Sequence, residues 1–328
     1  MYDVVGIDMP CIDLNVNLSN FPSPDSGERI NQLSWQGGGK VATGMVACAR
    51  LGAKCTIMGC TGDDIFGKFI INDFKLHGID TSAMKIKHDD TSSLSVVLSE
   101  AAAGSRTILH KGGSALRYTV DDIDADMLRS AKYFFICQAD RVVDQAVDIA
   151  RAAGVKIFID ADGYSEEIMN MLPKIDIFVG SQYFYNRLFG DEHYEKNCRR
   201  VMHMGPQTVL FTLGAQGCIG VSEEGFFKLP AFPVEVVDTV GAGDVFHGAF
   251  LAGLLTGRDV KEAARFACAT SAIKCTRIGG RAGIPDTKTV ERFLQDGFID
   301  YTEIDARVKH YERGLEHTSP SPLENPTP

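Results

Sequence analysis

Residues 2–9 are apolar almost throughout, which predicts a strand buried on both faces. Residues 14–18 and 29–35 alternate apolar with polar, the pattern of strands with one wet face. Residues 38–51 are Ala-rich and carry Val41, Met45, Val46 and Ala49 at helical spacing. A strand is expected over 54–59 and an amphipathic helix over 63–76. A second alternating pair follows at 92–99 and 106–111, joined by the segment from Glu100 to Gly104. Beyond it, strands (133–137, 155–160, 175–180, 208–213) take turns with helices (121–130, 142–153, 164–171). Two more helices are expected at 245–256 and 260–276, and no internal repeat is visible. Strict strand–helix alternation implies a parallel sheet with helices on both faces. The two alternating pairs break that rhythm. They form either a small separate sheet covering a site or a hairpin at the sheet edge.

Composition narrows the functional classes. The chain has 328 residues, 45% hydrophobic and 23% charged, enough for a sizeable core. One domain over 1–315 is expected, followed by a disordered tail over 316–328, where Pro and polar residues dominate. Net charge is −10 with no basic block, which argues against nucleic acid as a partner. The nine Cys are odd in number, lack Cys-x-x-Cys spacing and sit mostly in apolar runs. They read as buried thiols in a reducing compartment. No signal-like N-terminus and no membrane-length apolar window occur, so a cytoplasmic protein without a membrane partner is expected.

The chemistry concentrates in residues 237–249, Val-Asp-Thr-Val-Gly-Ala-Gly-Asp-Val-Phe-His-Gly-Ala. Gly241, Ala242 and Gly243 are small enough to expose consecutive backbone N–H groups, and an apolar helical run follows at once. A helix N-terminus of this kind binds anions, because its first amides lack partners and its dipole favours negative charge. Asp244 stands where a carboxylate should repel a phosphate. A base meeting a hydroxyl beside that phosphate explains it. A plain helix cap accounts for Gly-x-Gly alone, but not for the whole pattern. Other nucleotide motifs fail. Gly37-Gly38-Gly39-Lys40 lacks the Ser or Thr of a P-loop, since Val41 follows. Phe246 occupies the third Gly position of a dinucleotide fingerprint, and no zinc spacing is present.

From Asp238 to Asp244 the segment resembles, without a break, the Asp-Thr-x-Gly-Ala-Gly-Asp signature of the ribokinase-like (phosphofructokinase-B-type) carbohydrate kinases. The resemblance covers roughly residues 3–293. It implies an α/β protein: a three-layer α/β/α fold with a mostly parallel central sheet and a small β lid near 14–36 and 92–111. It also implies ATP and Mg2+ as cofactors, a small sugar as acceptor, and a homodimer formed through the lid. Residues 37–52 resemble the family's other signature, paired Gly before an Ala-rich helix ending Ala-Arg-Leu-Gly. By that resemblance Gly38, Gly39 and Lys40 meet sugar hydroxyls, and Gly permits the close backbone approach. An Asp past the first strand holds sugar hydroxyls in the family; Asp13 fits its place better than Asp8, and Asp140 aligns with a further acidic residue. Thr212, Gly214 and Gly217 resemble the Thr-Leu-Gly-x-x-Gly turn that lies along the nucleotide. In some relatives the residue matching Asp238 helps to hold a monovalent cation, K+, with carbonyls near Gly279.

One departure stands out. The family usually carries Asn-x-x-Glu after the strand expected at 175–180, whereas this chain reads Ser181-Gln182-Tyr183-Phe184. The expected reaction is in-line transfer of the γ-phosphoryl group, with the amides of Ala242 and Gly243 stabilising it and Asp244 as base. The helix terminus is expected to keep Asp244 ionised. Ribose, fructose, 2-keto-3-deoxygluconate and a nucleoside ribose all remain open as acceptors. So does a regulator that binds nucleotide or sugar without turnover.

Overall fold

A computed structural model describes residues 1–100, 105–115 and 118–315. The expected tail at 316–328 lies outside the described residues, as does most of the expected 100–104 connection. The chain opens with β1 (Tyr2–Ile7), β2 (Cys11–Leu18) and β3 (Ile30–Gly37), then α1 (Lys40–Arg50), β4 (Cys55–Gly62) and α2 (Ile65–Leu76). Next come β5 (Met84–Lys87), β6 (Ser93–Glu100), β7 (Ser105–Lys111), α3 (Ala125–Arg129), β8 (Ala131–Ile136), α4 (Arg141–Ala152) and β9 (Lys156–Ala161). They are followed by α5 (Glu166–Met171), β10 (Ile177–Gly180), α6 (Gln182–Leu188), α7 (Tyr194–Met202), β11 (Thr208–Thr212), β12 (Cys218–Ser222) and β13 (Gly225–Leu229). The chain ends in α8 (Ala242–Leu255), α9 (Val260–Lys274), α10 (Thr287–Asp296) and α11 (Thr302–Glu312).

Nine strands form one sheet in the order β13-β12-β11-β10-β9-β8-β1-β4-β5. Its pairs are parallel except β11–β12 and β12–β13, which are antiparallel. Successive strand residues face opposite sides, so Val4 packs in one core and Val5 in the other. The first core holds α1, α8 and α9; the second holds α4, α6 and α7. The expected three layers are therefore present.

The two alternating pairs do not form an edge hairpin. They build a separate four-stranded sheet, β3-β2-β6-β7, in which β2 and β6 run parallel and the outer pairs antiparallel. Strand β7 is exposed along its whole length.

The parallel register places loops side by side. Phe135 pairs with Gly6 and Phe158, and Gly180 pairs with Ala161 and Phe211. The loops leaving β1, β8, β9, β10 and β11 therefore emerge at one edge, the carboxyl end where open α/β sheets bind ligands. Helices α1 and α8 pack closely there: Cys48 Sγ donates to the Gly248 carbonyl at 3.0 Å. A Cβ on Gly248 would lie 2.0 Å from the Gly44 carbonyl oxygen, so only glycine permits this approach. No described helix is long and apolar enough to cross a membrane. All nine Cys carry free thiols, and every one except Cys137 is buried.

Candidate active site

The start of α8 is an open amide cradle. Gly241 takes the left-handed conformation, φ 71°, and a Cβ there would lie 2.8 Å from Gly280 Cα. No side chain caps the helix. The Ala242 N–H, expected to be free, donates instead to the Thr239 carbonyl at 3.1 Å. Among the described residues no acceptor meets the N–H groups of Gly241, Gly243 or Asp244. Gly243 is exposed, and a Cβ added to it would touch nothing. The donors are therefore unplugged, and α8 adds its positive end to them.

Asp244 sits half-buried beside this cradle, and its carboxylate makes no hydrogen bond to a described residue. Its carboxyl is held well above the usual carboxylate range, first by burial and then by the neighbouring Asp160 carboxylate. Lys40 opposes that rise, while Asp162 and Asp8 add to it. Burial and the neighbouring carboxylates thus work against the charge that the helix terminus is expected to favour on Asp244.

Asp160 ends β9 with 0% exposure, and neither of its oxygens has a hydrogen-bond partner. The Nδ1 of His247 lies 3.4 Å from it, one helical turn after Asp244. Lys40 bonds Asp162 at 2.7 Å. Burial works against the Lys40 charge, but the Asp162 bond and the Asp160 carboxylate hold its pKa above the ordinary lysine value. Cys137, at the end of β8, lies in the field of Asp8, Asp160, Lys40 and Asp244; burial first, then these carboxylates, push its thiol up.

On the acceptor side the two candidate aspartates separate. Asp8 accepts from the N–H groups of Ala42 (2.8 Å) and Met9 (2.8 Å), so it caps α1. Asp13 on β2 lies against Gly38, where a Cβ would come within 2.4 Å of both carboxylate oxygens. It accepts the weak Cys11 thiol donor at 3.3 Å, and Ser95 and His110 of the lid stand beside it. Arg281, fully buried, pairs with Asp73 and donates to the Gly38 carbonyl at 2.9 Å. This fixes the Gly38–Gly39 loop from behind. Asp140 is exposed and caps α4 through Val142 (2.8 Å) and Val143 (2.9 Å).

The nucleotide candidates also converge. Thr212, Gly214 and Gly217 line a cavity of about 500 Å3 whose far wall is Thr239, Ala242, Gly243 and Phe246. Gly214 (φ 56°) and Gly217 (φ 90°) both need the left-handed conformation of the turn. Asp238 is buried; its carboxylate accepts from Val240 N–H (2.9 Å) and Gly279 N–H (2.8 Å). In place of the expected Asn-x-x-Glu, Ser181 caps α6 and donates to the Asp162 carbonyl at 2.7 Å. Asp162 is thus an acidic group tied directly to that segment. Asp160, Asp162, His247, Arg281 and Lys274 have no role in the sequence reading. Asp160-Ala161-Asp162 at the end of a buried strand was the one local signal for two of them.

The family model for pfkB family carbohydrate kinases matches residues 1–287. A ribokinase of Haemophilus influenzae is 30% identical over 85% of this chain and 94% of its own length. A 5-dehydro-2-deoxygluconokinase of Clostridium perfringens is 27% identical over 93% of this chain and 96% of its own. Among solved structures, an E. coli protein in complex with ATP and Mg2+ superposes with a TM-score of 0.80 at 24% identity, covering 90% of this chain and 99% of that one. Ribokinase of Thermotoga maritima gives 0.77 at 24% identity, with coverage of 90% and 100%. The chain belongs to the pfkB family and is a carbohydrate kinase with the ribokinase-like fold.

Proposed function

We propose that this kinase transfers the γ-phosphoryl group of ATP to a hydroxyl of a small sugar, with Asp244 as base. One observation carries the reading: unpaired amides and an unbonded carboxylate stand together at the start of α8, where Ala242 and Gly243 line a cavity of about 500 Å3. The acceptor oxygen bonds to the γ-phosphorus as its bond to the β-bridging oxygen breaks, and ADP leaves. Gly243 and Asp244 N–H groups meet the charge on the moving group. The hydroxyl proton passes to Asp244, whose burial makes it a stronger proton acceptor than an ordinary carboxylate. Asp13 and the Gly38–Gly39 main chain hold the neighbouring sugar hydroxyls. Lys40, drawn toward Asp162, supplies positive charge at the same edge.

Among the described residues no three carboxylate, His or Cys side chains converge to cage a metal. Asp160 and Asp162 are the acidic groups of this chain that would help to hold the Mg2+ of a bound nucleotide. When bound, it screens charge on the phosphate oxygens. The lid supports a homodimer. In β7 the adjacent Ile108 (53% exposed) and Leu109 (56%) point to opposite faces, and both side chains are open.

An ADP-release panel tests the reading, with ribose, fructose, 2-keto-3-deoxygluconate, 5-dehydro-2-deoxygluconate and nucleosides as acceptors. Turnover with a sugar supports it. Turnover with nucleosides alone moves the acceptor class, and ATP binding without turnover makes the protein a regulator.

A further inference from the structure

The family resemblance implies a monovalent cation beside Asp238. The residues of this chain do not fit one. Lys274, at the end of α9, is 0% exposed, and its ammonium donates to the Asp238 main-chain carbonyl at 2.9 Å. Fully buried lysines are rare without a carboxylate partner. This one has no described ion pair; its hydrogen-bond partner is the peptide at the root of the amide cradle. The Asp238 carboxylate already holds one backbone N–H on each oxygen, which stitches it to Val240 and Gly279. A second positive charge at the Asp238 carbonyl would meet the ammonium already there.

We propose that Lys274 is a built-in replacement for the monovalent cation, so that this kinase is indifferent to K+. The ammonium polarises the Asp238–Thr239 peptide and fixes the turn that presents the Gly241, Gly243 and Asp244 amides. It acts through that turn and is a positioning residue. Burial lowers the Lys274 proton affinity, while Cys275, Asp238 and Asp244 pull it back. Arg106 of the lid, which donates to Thr239 Oγ1 at 3.3 Å, adds a second positive group to the same turn. The inference rests on the kinase reading above, because it assigns the cradle to nucleotide phosphates.

The test is the affinity of the full chain for Mg·AMP-PNP by calorimetry, in KCl against choline chloride at equal ionic strength. The wild type is expected to bind equally in both, within about twofold. Lys274→Met is expected to lose about tenfold or more in choline chloride and to regain part of it in KCl. A merely structural lysine predicts no such cation rescue. Wild-type affinity rising about fivefold in KCl overturns the proposal. So does a Lys274→Met variant that binds like wild type in choline chloride, or a protein that binds no Mg·AMP-PNP. If Lys274→Met does not fold, the wild-type comparison decides, and Lys274→Arg, which keeps the charge, must remain indifferent to K+. Failure of the sugar-kinase reading looks different: salt-indifferent nucleotide binding with no ADP release from any acceptor.

Discussion

Replacing Gly38 with Ala would put a Cβ 2.4 Å from both Asp13 carboxylate oxygens. That is about 1 Å inside ordinary contact. The loop cannot retreat. Its N–H donates to the Cys11 carbonyl at 2.8 Å, and its carbonyl is held by Arg281 at 2.9 Å. Asp13, held at 3.3 Å by a weak thiol donor, is the group that yields. A displacement of about 1 Å in a positioning group costs roughly 10²-fold in rate. Overpacking of this kind costs about 1–3 kcal/mol of stability. Gly38→Ala should therefore remain folded, with acceptor kcat/KM down about 10²-fold and the KM for ATP little changed. The assay is coupled ADP release with each substrate varied in turn, alongside thermal unfolding. A folded variant with an unchanged acceptor kcat/KM, or one that loses ATP affinity alone, would refute the placement of the sugar at Asp13.

Arg281→Met leaves Asp73 buried without its cation, which should cost about 3–5 kcal/mol in urea unfolding; a loss below about 1 kcal/mol would show that the pair does not hold the loop. Asp244→Asn should be more stable than wild type, and more so as pH rises. A carboxyl whose folded pKa is raised contributes stability at low pH and loses it as pH climbs through that value. Scanning calorimetry from pH 5 to pH 8 checks this, at about 1–2 °C for each kcal/mol; an advantage that shrinks toward pH 8 contradicts it. Ile108→Lys on the exposed lid strand should shift a dimer toward monomer in sedimentation; a wild type that is already monomeric would remove the lid dimer.

The fold was largely legible because it is written in periodicity. Buried parallel strands such as β1, β4 and β9 are apolar runs, and α1 and α4 show helical spacing, so alternation alone predicts the layered sheet. The short β5 (Met-Lys-Ile-Lys) and the Gly-broken β12 and β13 carry no such run, and α6 is too aromatic to show a polar face. The site was legible where chemistry is local. Residues 238–244 form one turn, and its amides and Asp244 lie where the motif implies. Ala242 is the exception, because the turn's own geometry brings its N–H onto Thr239. Asp8 and Asp13 look alike in sequence; only the start of α1 shows that Asp8 caps it. The Asp160–His247 contact and the Lys274–Asp238 bond join residues 87 and 36 positions apart (247 − 160 and 274 − 238), so no local pattern announces them.

The most direct measurement is single-turnover phosphoryl transfer by Asp244→Asn, with acceptor and Mg·AMP-PNP affinities recorded on the same protein. The cradle amides belong to the backbone and survive the substitution, so both ligands should bind near normally. Transfer should fall by about 10²–10⁴-fold, the range for losing a positioned base. A variant that transfers phosphate within about tenfold of wild type would contradict the account at its centre.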